Sequence, residues 1–242
     1  MISLSYDIHL HSCLSPCGDD DMTPANIIAM AALKNLDVVA LTDHNSCKNC
    51  PAFLAMAKNY GILAIPGMEL CTQEEVHVLC LFPSLKDAMN FDGYVYEHLI
   101  PIPNNKLIFG NQQIYNEEDK IIGEEPYLLI NATNISFDEV YDLVKKYNGI
   151  MIPAHIEKTA NSLLYNLGFI PPESKFSCVE IYDKNKLDYI KKENPYLENC
   201  RIITNSDAHY LEYIKEPINF IHSESKDIKD VLKALEGIGR FA

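Results

Sequence analysis

Short apolar runs, rich in β-branched residues, alternate along the chain with longer segments of helical spacing. Seven runs read as strands: SLSYDIHL (3–10), DVVALTD (37–43), GILAIPG (61–67), EVHVLCLF (75–82), GIMIPAH (149–155), CVEIYD (178–183) and RIITNSD (201–207). Helices are predicted between several of them. TPANIIAMAALKNL opens with Thr23 as N-cap and Pro24 in the first turn, and CPAFLAMAKNYG stops at Gly61. SFDEVYDLVKKYNG pairs Ser136 with Glu139 as a capping box and stops at Gly149, and DIKDVLKALEGIG follows near the end. Continuous apolar strands alternating with helices predict an α/β fold on a parallel sheet. Seven strands in a chain of 242 residues favour closure into a TIM-like barrel as a single domain over 1–242. Residues 85–135 break the rhythm with Pro101, Pro103, Pro126 and the hairpin-like KLIFGNQQIYNEEDKIIGEE. They read as an inserted segment between barrel strands, where substrate loops or lids occur.

Composition narrows the classes of function. An apolar fraction of 48% suffices for a large core, and a net charge of −14 is expected to repel phosphate backbones. No long nucleic acid is therefore expected as a partner. Arg201 and Arg240 are the only arginines, which argues against an arginine clamp, although a local metal site could still hold a phosphate. The N-terminus shows no basic-then-apolar leader, and no apolar run reaches the ~18 residues of a membrane span. A cytoplasmic protein without a membrane partner is expected, its eight cysteines being free thiols or metal ligands. The oligomeric state stays open.

The histidines change the picture most. Six of the eight fall at or within predicted strands: His9, His11, His44, His77, His155 and His209. Glu69 follows the third strand and Asp207 the last. In a parallel barrel the C-terminal strand ends share one rim, so these residues are expected to converge. Residues at i, i+2 and i+4 of a strand share a face, which is expected to align Asp7 with His9 and His11. Imidazoles and carboxylates in one pocket suit zinc, manganese or iron. Asp7 and Asp43 are expected behind the ligating imidazoles as orienting carboxylates, with a strand-end turn cap as the alternative for Asp7. Cys47 and Cys50 form a C-x-x-C that, with Cys13 and Cys17, offers weak support for a further metal or cluster. Cys71, Cys80, Cys178 and Cys200 read as buried small residues, and His98 and His222 as structural.

The stretches DIHLHS, LTDHNS, GMEL, EVHVLCLF, PAH and NSDAH, in that order, resemble the polymerase and histidinol phosphatase (PHP) family of metal-dependent phosphoesterases. The resemblance implies a distorted (β/α)7 barrel with two to three divalent transition metal ions (Zn, Mn or Fe). It implies His9, His11, Glu69 and Asp207 around a first ion, a bridging Glu69 with His77 and His155 around a second, and His44 with His209 around a third. The loop CLSPCGDDDMTP would complete the third: counting back from Thr23-Pro24 selects Asp19, counting forward from His11 selects Cys17, and Asp19 is preferred. Asp20 and Asp21 then form a solvated acidic run. Asp207 and His209 are expected to take part in catalysis, and Lys158 to meet substrate phosphate where relatives carry arginine. The implied reaction is hydrolysis of a small phosphate ester, of sugar, nucleotide or histidinol phosphate type, by a metal-bridging hydroxide. The alternatives are an amidohydrolase-type metal hydrolase, disfavoured by the early Glu69 and by NSDAH, and a non-catalytic metal-binding accessory module, disfavoured by the near-complete ligand set.

Overall fold

The computed structural model describes residues 1–237. The last residues of the expected final helix and Arg240 lie outside them. In chain order the elements are β1 (Ile2–Leu10), α1 (Pro24–Leu33), β2 (Val38–Leu41), α2 (Cys50–Ala57), β3 (Leu63–Cys71), β4 (His77–Leu81), α3 (Leu85–His98), α4 (Lys106–Phe109), β5 (Gln113–Tyr115), β6 (Ile121–Glu124), α5 (Phe137–Lys146), β7 (Ile150–Pro153), α6 (Leu163–Asn166), β8 (Cys178–Glu180), α7 (Leu187–Glu193), β9 (Arg201–Ile203), β10 (Phe220–Ser223) and α8 (Ile228–Glu236). No helix among the described residues is long and apolar enough to cross a membrane.

Six strands form the main sheet in the order β10–β1–β2–β3–β4–β7. β1, β2 and β3 run parallel, with α1 leading into β2 and α2 into β3 as the sequence pattern predicts. Thr23 accepts from the Asn26 amide at the start of α1, and the Ser136–Glu139 capping box opens α5. The expectation of a uniformly parallel sheet needs correction at β4 and β10. Residues 72–76 are too few for the crossover that parallel strands require. β4 therefore folds back on β3 with Cys71 opposite His77, and it also lies antiparallel to β7. β10 runs antiparallel along the start of β1. β8 and β9 make a separate parallel pair. The Ile156 amide donates to the Glu180 carbonyl at 3.0 Å and the His11 amide to that of Ala208 at 3.1 Å, so this pair is tied to the ends of β7 and β1 and the sheet curls. The result is a mixed, curled α/β sheet.

Alternation along the strands builds two cores. Leu4, Tyr6, Ile8, Val38, Ala40, Ile65, Leu79, Ile152 and Ile203 fill the inside of the curl, closed by Val231, Leu232 and Leu235 of α8. Val39, Leu41, Met68, Leu70, Val78 and Cys80 point outward and pack with the apolar faces of α1, α2, α3 and α5. The expected insertion begins later than its composition suggests. Ser84 caps α3, and Ala88, Phe91 and Val95 of that helix belong to the outer core. Beyond α3 the chain does leave the pattern. α4 and the β5–β6 hairpin lie in this stretch, from which Leu99 and Leu129 pack with Leu14 of the β1–α1 loop in a small third cluster. Asn45 donates to the carbonyls of Leu129 and Asn131, both at 2.7 Å, tying this segment to the loop after β2.

Candidate metal centre

Local backbone irregularities decide which side chains enter the bowl at the top of the curl. Between the pairs Asp7–Val39 and Leu10–Leu41, two residues of β1 stand opposite one of β2. That bulge turns His9 inward beside Ile8, so His9 and His11 share the inner face. Asp7 precedes the bulge and pairs with outward-facing Val39, so the expected alignment of Asp7 with the two histidines does not hold. Glu69 lies on the inner face of β3, two residues after Gly67. A Cβ at Gly67 would sit 2.7 Å from Leu81 and 3.0 Å from the Cys80 carbonyl oxygen, so only glycine allows β4 to approach there. His77 is the first residue of β4, and the antiparallel course of that strand is what brings it to the rim. His155 and Asp207 follow β7 and β9 with φ of 29° and 54°, conformations that non-glycine residues seldom adopt and that turn both side chains into the bowl.

Glu69 stands at the centre. Its Oε1 lies 3.2 Å from His9 Nε2, 3.0 Å from His77 Nδ1 and 3.1 Å from His155 Nε2. Its Oε2 lies 3.3 Å from His11 Nε2 and 3.0 Å from His44 Nδ1. Asp207 Oδ1 is 3.3 Å from the Nε2 atoms of both His9 and His11. His209 stacks on His11 with ring centroids 4.2 Å apart. Three donor groups fall within 4.8 Å: His9–His11–Glu69, His44–Glu69–His77 and His11–His44–His209. Thus eight of the nine expected ligand residues converge. The ninth, Asp19, does not line the bowl; its carboxylate accepts from the Asp21 amide at 3.0 Å, an Asx turn that points it back along its own loop. Cys17 lines the bowl instead.

A second layer holds these side chains, and its principal member, Glu180, was not foreseen from the sequence. Glu180 Oε2 lies 2.9 Å from His9 Nδ1 and accepts from the His155 amide at 3.0 Å, while Oε1 accepts from Asn205 at 2.9 Å. An acid between Val179 and Ile181 in the apolar stretch CVEIYD was the available signal. Asp43 reaches His11 through Ser15: the Ser15 hydroxyl donates to Asp43 Oδ1 at 2.8 Å and lies 3.0 Å from His11 Nδ1. Asp7 accepts from the Ser206 amide at 3.0 Å, so it braces the backbone beside Asp207 and orients no imidazole.

The charges are consistent with a cation site. Burial alone would raise the Glu69 carboxyl, but His77, His9 and His44 outweigh it and hold it well below the usual range. Burial would likewise depress His9, yet Glu180, Asp207 and Glu69 raise its pKa well above the ordinary value. Burial and the neighbouring His11 pull His209 down to about 3. Glu69 Oε2, His44 Nδ1, His77 Nε2 and His155 Nδ1 are buried without a hydrogen-bond partner. Of these, Glu69 Oε2 and His44 Nδ1 lie 3.0 Å apart, and with the three donor groups above they fit divalent metals bound by nitrogen and oxygen.

Lys158 sits on the bowl wall, paired with Asp207 Oδ2 and 4.9 Å from the Tyr182 ring centroid. With Asp207 and His209 it also lines an adjoining groove of about 850 Å³ that carries Lys34, Lys215, Tyr182 and Tyr213. The C-x-x-C thiols are buried elsewhere, both directed at the Gly67 carbonyl oxygen at 3.2 and 3.5 Å, and among the described residues no three cysteines converge. His98 stacks on Tyr94 and bonds its carbonyl, and His222 lies on β10.

A PHP domain model matches residues 7–198. The chain belongs to the PHP domain family. Over 176 residues it is 26% identical to the uncharacterized protein YqxK of Bacillus subtilis, covering 67% of this chain and 37% of that one. The fold is shared with lesion-specific endonuclease Q from Pyrococcus furiosus, at a TM-score of 0.70 and 19% identity, over 99% of this chain and 57% of that one. It is shared also with endonuclease Q in complex with a 27-mer duplex bearing an abasic lesion at the active site, at 0.69 and 20%, over 99% and 58%. A provisionally assigned metal-dependent phosphoesterase from Bifidobacterium adolescentis aligns at 0.59 and 16%, over 97% of both chains. This PHP chain thus spans little more than half of endonuclease Q and well under half of YqxK. The duplex-bound structure overturns the expectation that long nucleic acid is excluded. Net charge describes the whole surface, whereas a nucleic acid meets the local groove.

Proposed function

We propose that the chain is a metal-dependent phosphoesterase that hydrolyses a small phosphate ester of sugar, nucleotide or histidinol phosphate type. The convergence of His9, His11, His44, His77, His155, Glu69 and Asp207 on one bowl, with Lys158 on its wall, carries this reading. His9, His11, Glu69 and Asp207 would hold one cation, Glu69, His77 and His155 a second, and His44 and His209 a third. Divalent ions there would supply Lewis acidity toward phosphoryl oxygens and make bound water acidic enough to attack near neutral pH. Glu69, between five imidazoles, would serve as a ligand shared by the first and second cations. Glu180 keeps the His9 proton on Nδ1 and its Nε2 lone pair toward the bowl. Lys158 presents its ammonium where bowl and groove meet. With Asp207 engaged as a ligand, the Lys158 ammonium would be released to meet a phosphate oxygen and orient the ester. His209, held neutral by burial and by His11, keeps a lone pair available to a metal and carries no charge of its own.

A second reading takes a nucleic-acid phosphodiester as substrate. The groove favours it, because lysines and exposed tyrosines beside a hydrolytic bowl suit a backbone and its bases. Assays of the metal-loaded protein on small phosphate monoesters, and on single-stranded and abasic duplex DNA, separate the two. Turnover of monoesters alone supports the first reading and cleavage of DNA the second. No turnover of either class with zinc, manganese or iron contradicts both.

A further inference from the structure

The loop between β1 and α1 places a thiol on the bowl wall. Backbone bonds wind it tightly: Ser15 to the Ser12 carbonyl, Gly18 to Ser15, Met22 to Asp19 and Cys13 to Met22, all between 2.9 and 3.0 Å. The Asp19 amide donates to the His209 carbonyl at 2.9 Å, so the loop is fastened to the end of the bowl. Gly18 makes the winding feasible, since a Cβ there would lie 2.3 Å from the Ser12 carbonyl oxygen. Cys17, just before it, is exposed and lines the bowl, facing the His44 ring. His44 itself is buried, and its Nδ1, although 3.0 Å from Glu69 Oε2, has no hydrogen-bond partner. His11, His44 and His209 gather their nitrogens within 4.8 Å, and Asp19 is turned away.

We infer that Cys17 is a thiolate ligand of the cation held by His44 and His209. The inference rests on the metal-centre reading above. On ligation the Cys17 thiol proton would leave to solvent as the sulfur–metal bond forms. A thiolate is a soft donor, so this one position would take zinc or ferrous iron in preference to manganese or magnesium. The Glu69 and Asp207 positions, richer in oxygen, carry no such preference.

Cobalt(II) loading of the chelator-stripped chain tests this without an activity readout. Absorption spectra and metal stoichiometry are recorded for the wild type, Cys17→Ser, Cys17→Asp and Cys200→Ser. Expected are a near-ultraviolet thiolate-to-cobalt band in the wild type and in Cys200→Ser, and loss of that band with roughly one equivalent of cobalt in Cys17→Ser. Cys17→Asp should regain the equivalent without the band and bind manganese better at that position. Full cobalt loading of the wild type without the band, or an undiminished band in Cys17→Ser, overturns the inference while leaving the metal centre intact. Failure of the wild type to bind cobalt at all overturns both together.

Discussion

Glu180→Gln probes the support of the bowl in a single atom. Glu180 is buried and meets three donors: His9 Nδ1 at 2.9 Å and the His155 amide at 3.0 Å on Oε2, and Asn205 Nδ2 at 2.9 Å on Oε1. Only a carboxylate, with acceptors at both ends, satisfies all three. Glutamine must aim its own NH₂ either at His9 and His155 or at Asn205. Asn205 cannot reverse its amide to help, because its Oδ1 already accepts from the Ile8 amide at 2.9 Å. At least one buried donor is orphaned, which costs about 1–3 kcal/mol. At roughly 2–4 °C per kcal/mol for a chain of this size, the melting temperature should fall measurably. The His9 ring also loses the anion that sets its tautomer, and second-layer changes of this kind weaken metal binding roughly 10- to 100-fold. Titration against a chromophoric chelator reads the affinity, and thermal melts with and without chelator read the stability. A glutamine variant that binds metal and melts like the wild type would refute the orienting role of Glu180.

Three other outcomes follow from the same geometry. Lys158→Ala should leave metal content unchanged and lower kcat/KM for a phosphate ester by roughly ten- to a hundredfold, the value of a charge-assisted contact of ~1.5–3 kcal/mol; unchanged kinetics would remove Lys158 from the substrate site. Metal uptake should release protons and weaken as pH falls, because His9, His11 and His44 hold protons more tightly than free imidazole in the stripped chain yet must be neutral to ligate. Burial opposes protonation at all three, but the carboxylates around His9 and His11, and Cys17 with Glu69 at His44, outweigh it. Raised folded-state values also mean that the stripped chain loses stability as pH climbs through them. An affinity that is flat from about pH 6 to 8 would contradict both statements. Finally, Phe91→Ala in α3 should cost about 3–5 kcal/mol in chemical denaturation, whereas trimming the β5–β6 hairpin should leave the transition nearly in place; the opposite pattern would return α3 to the insertion.

Much of this site was legible before folding was considered. Thr23, Ser136 and Gly61 mark helix ends by local chemistry, and His11, His44, His155 and His209 stand at strand ends that a curled parallel sheet gathers on one rim. What escaped depends on partners far away in sequence. The direction of β4 follows from the short 72–76 connection, which reads equally well as a loop before a helix. The β1 bulge, which parts Asp7 from His9, arises from pairing with β2 and leaves no mark in the alternation itself. Glu180 sits in a strand of three residues, too short to show that its acid faces a histidine from β1, 171 positions away. Between Cys17 and Asp19, counting from either end of the loop is ambiguous; the winding about Gly18 decides which of the two reaches the bowl.

Elemental analysis of the purified chain, beside that of His9→Ala, decides whether the bowl is a metal centre. Roughly two to three equivalents of transition metal are expected in the wild type, from the three donor groups of the bowl, and clearly less in His9→Ala. Less than one equivalent in the wild type after reconstitution with zinc, manganese or iron, or the same content in both proteins, would contradict it.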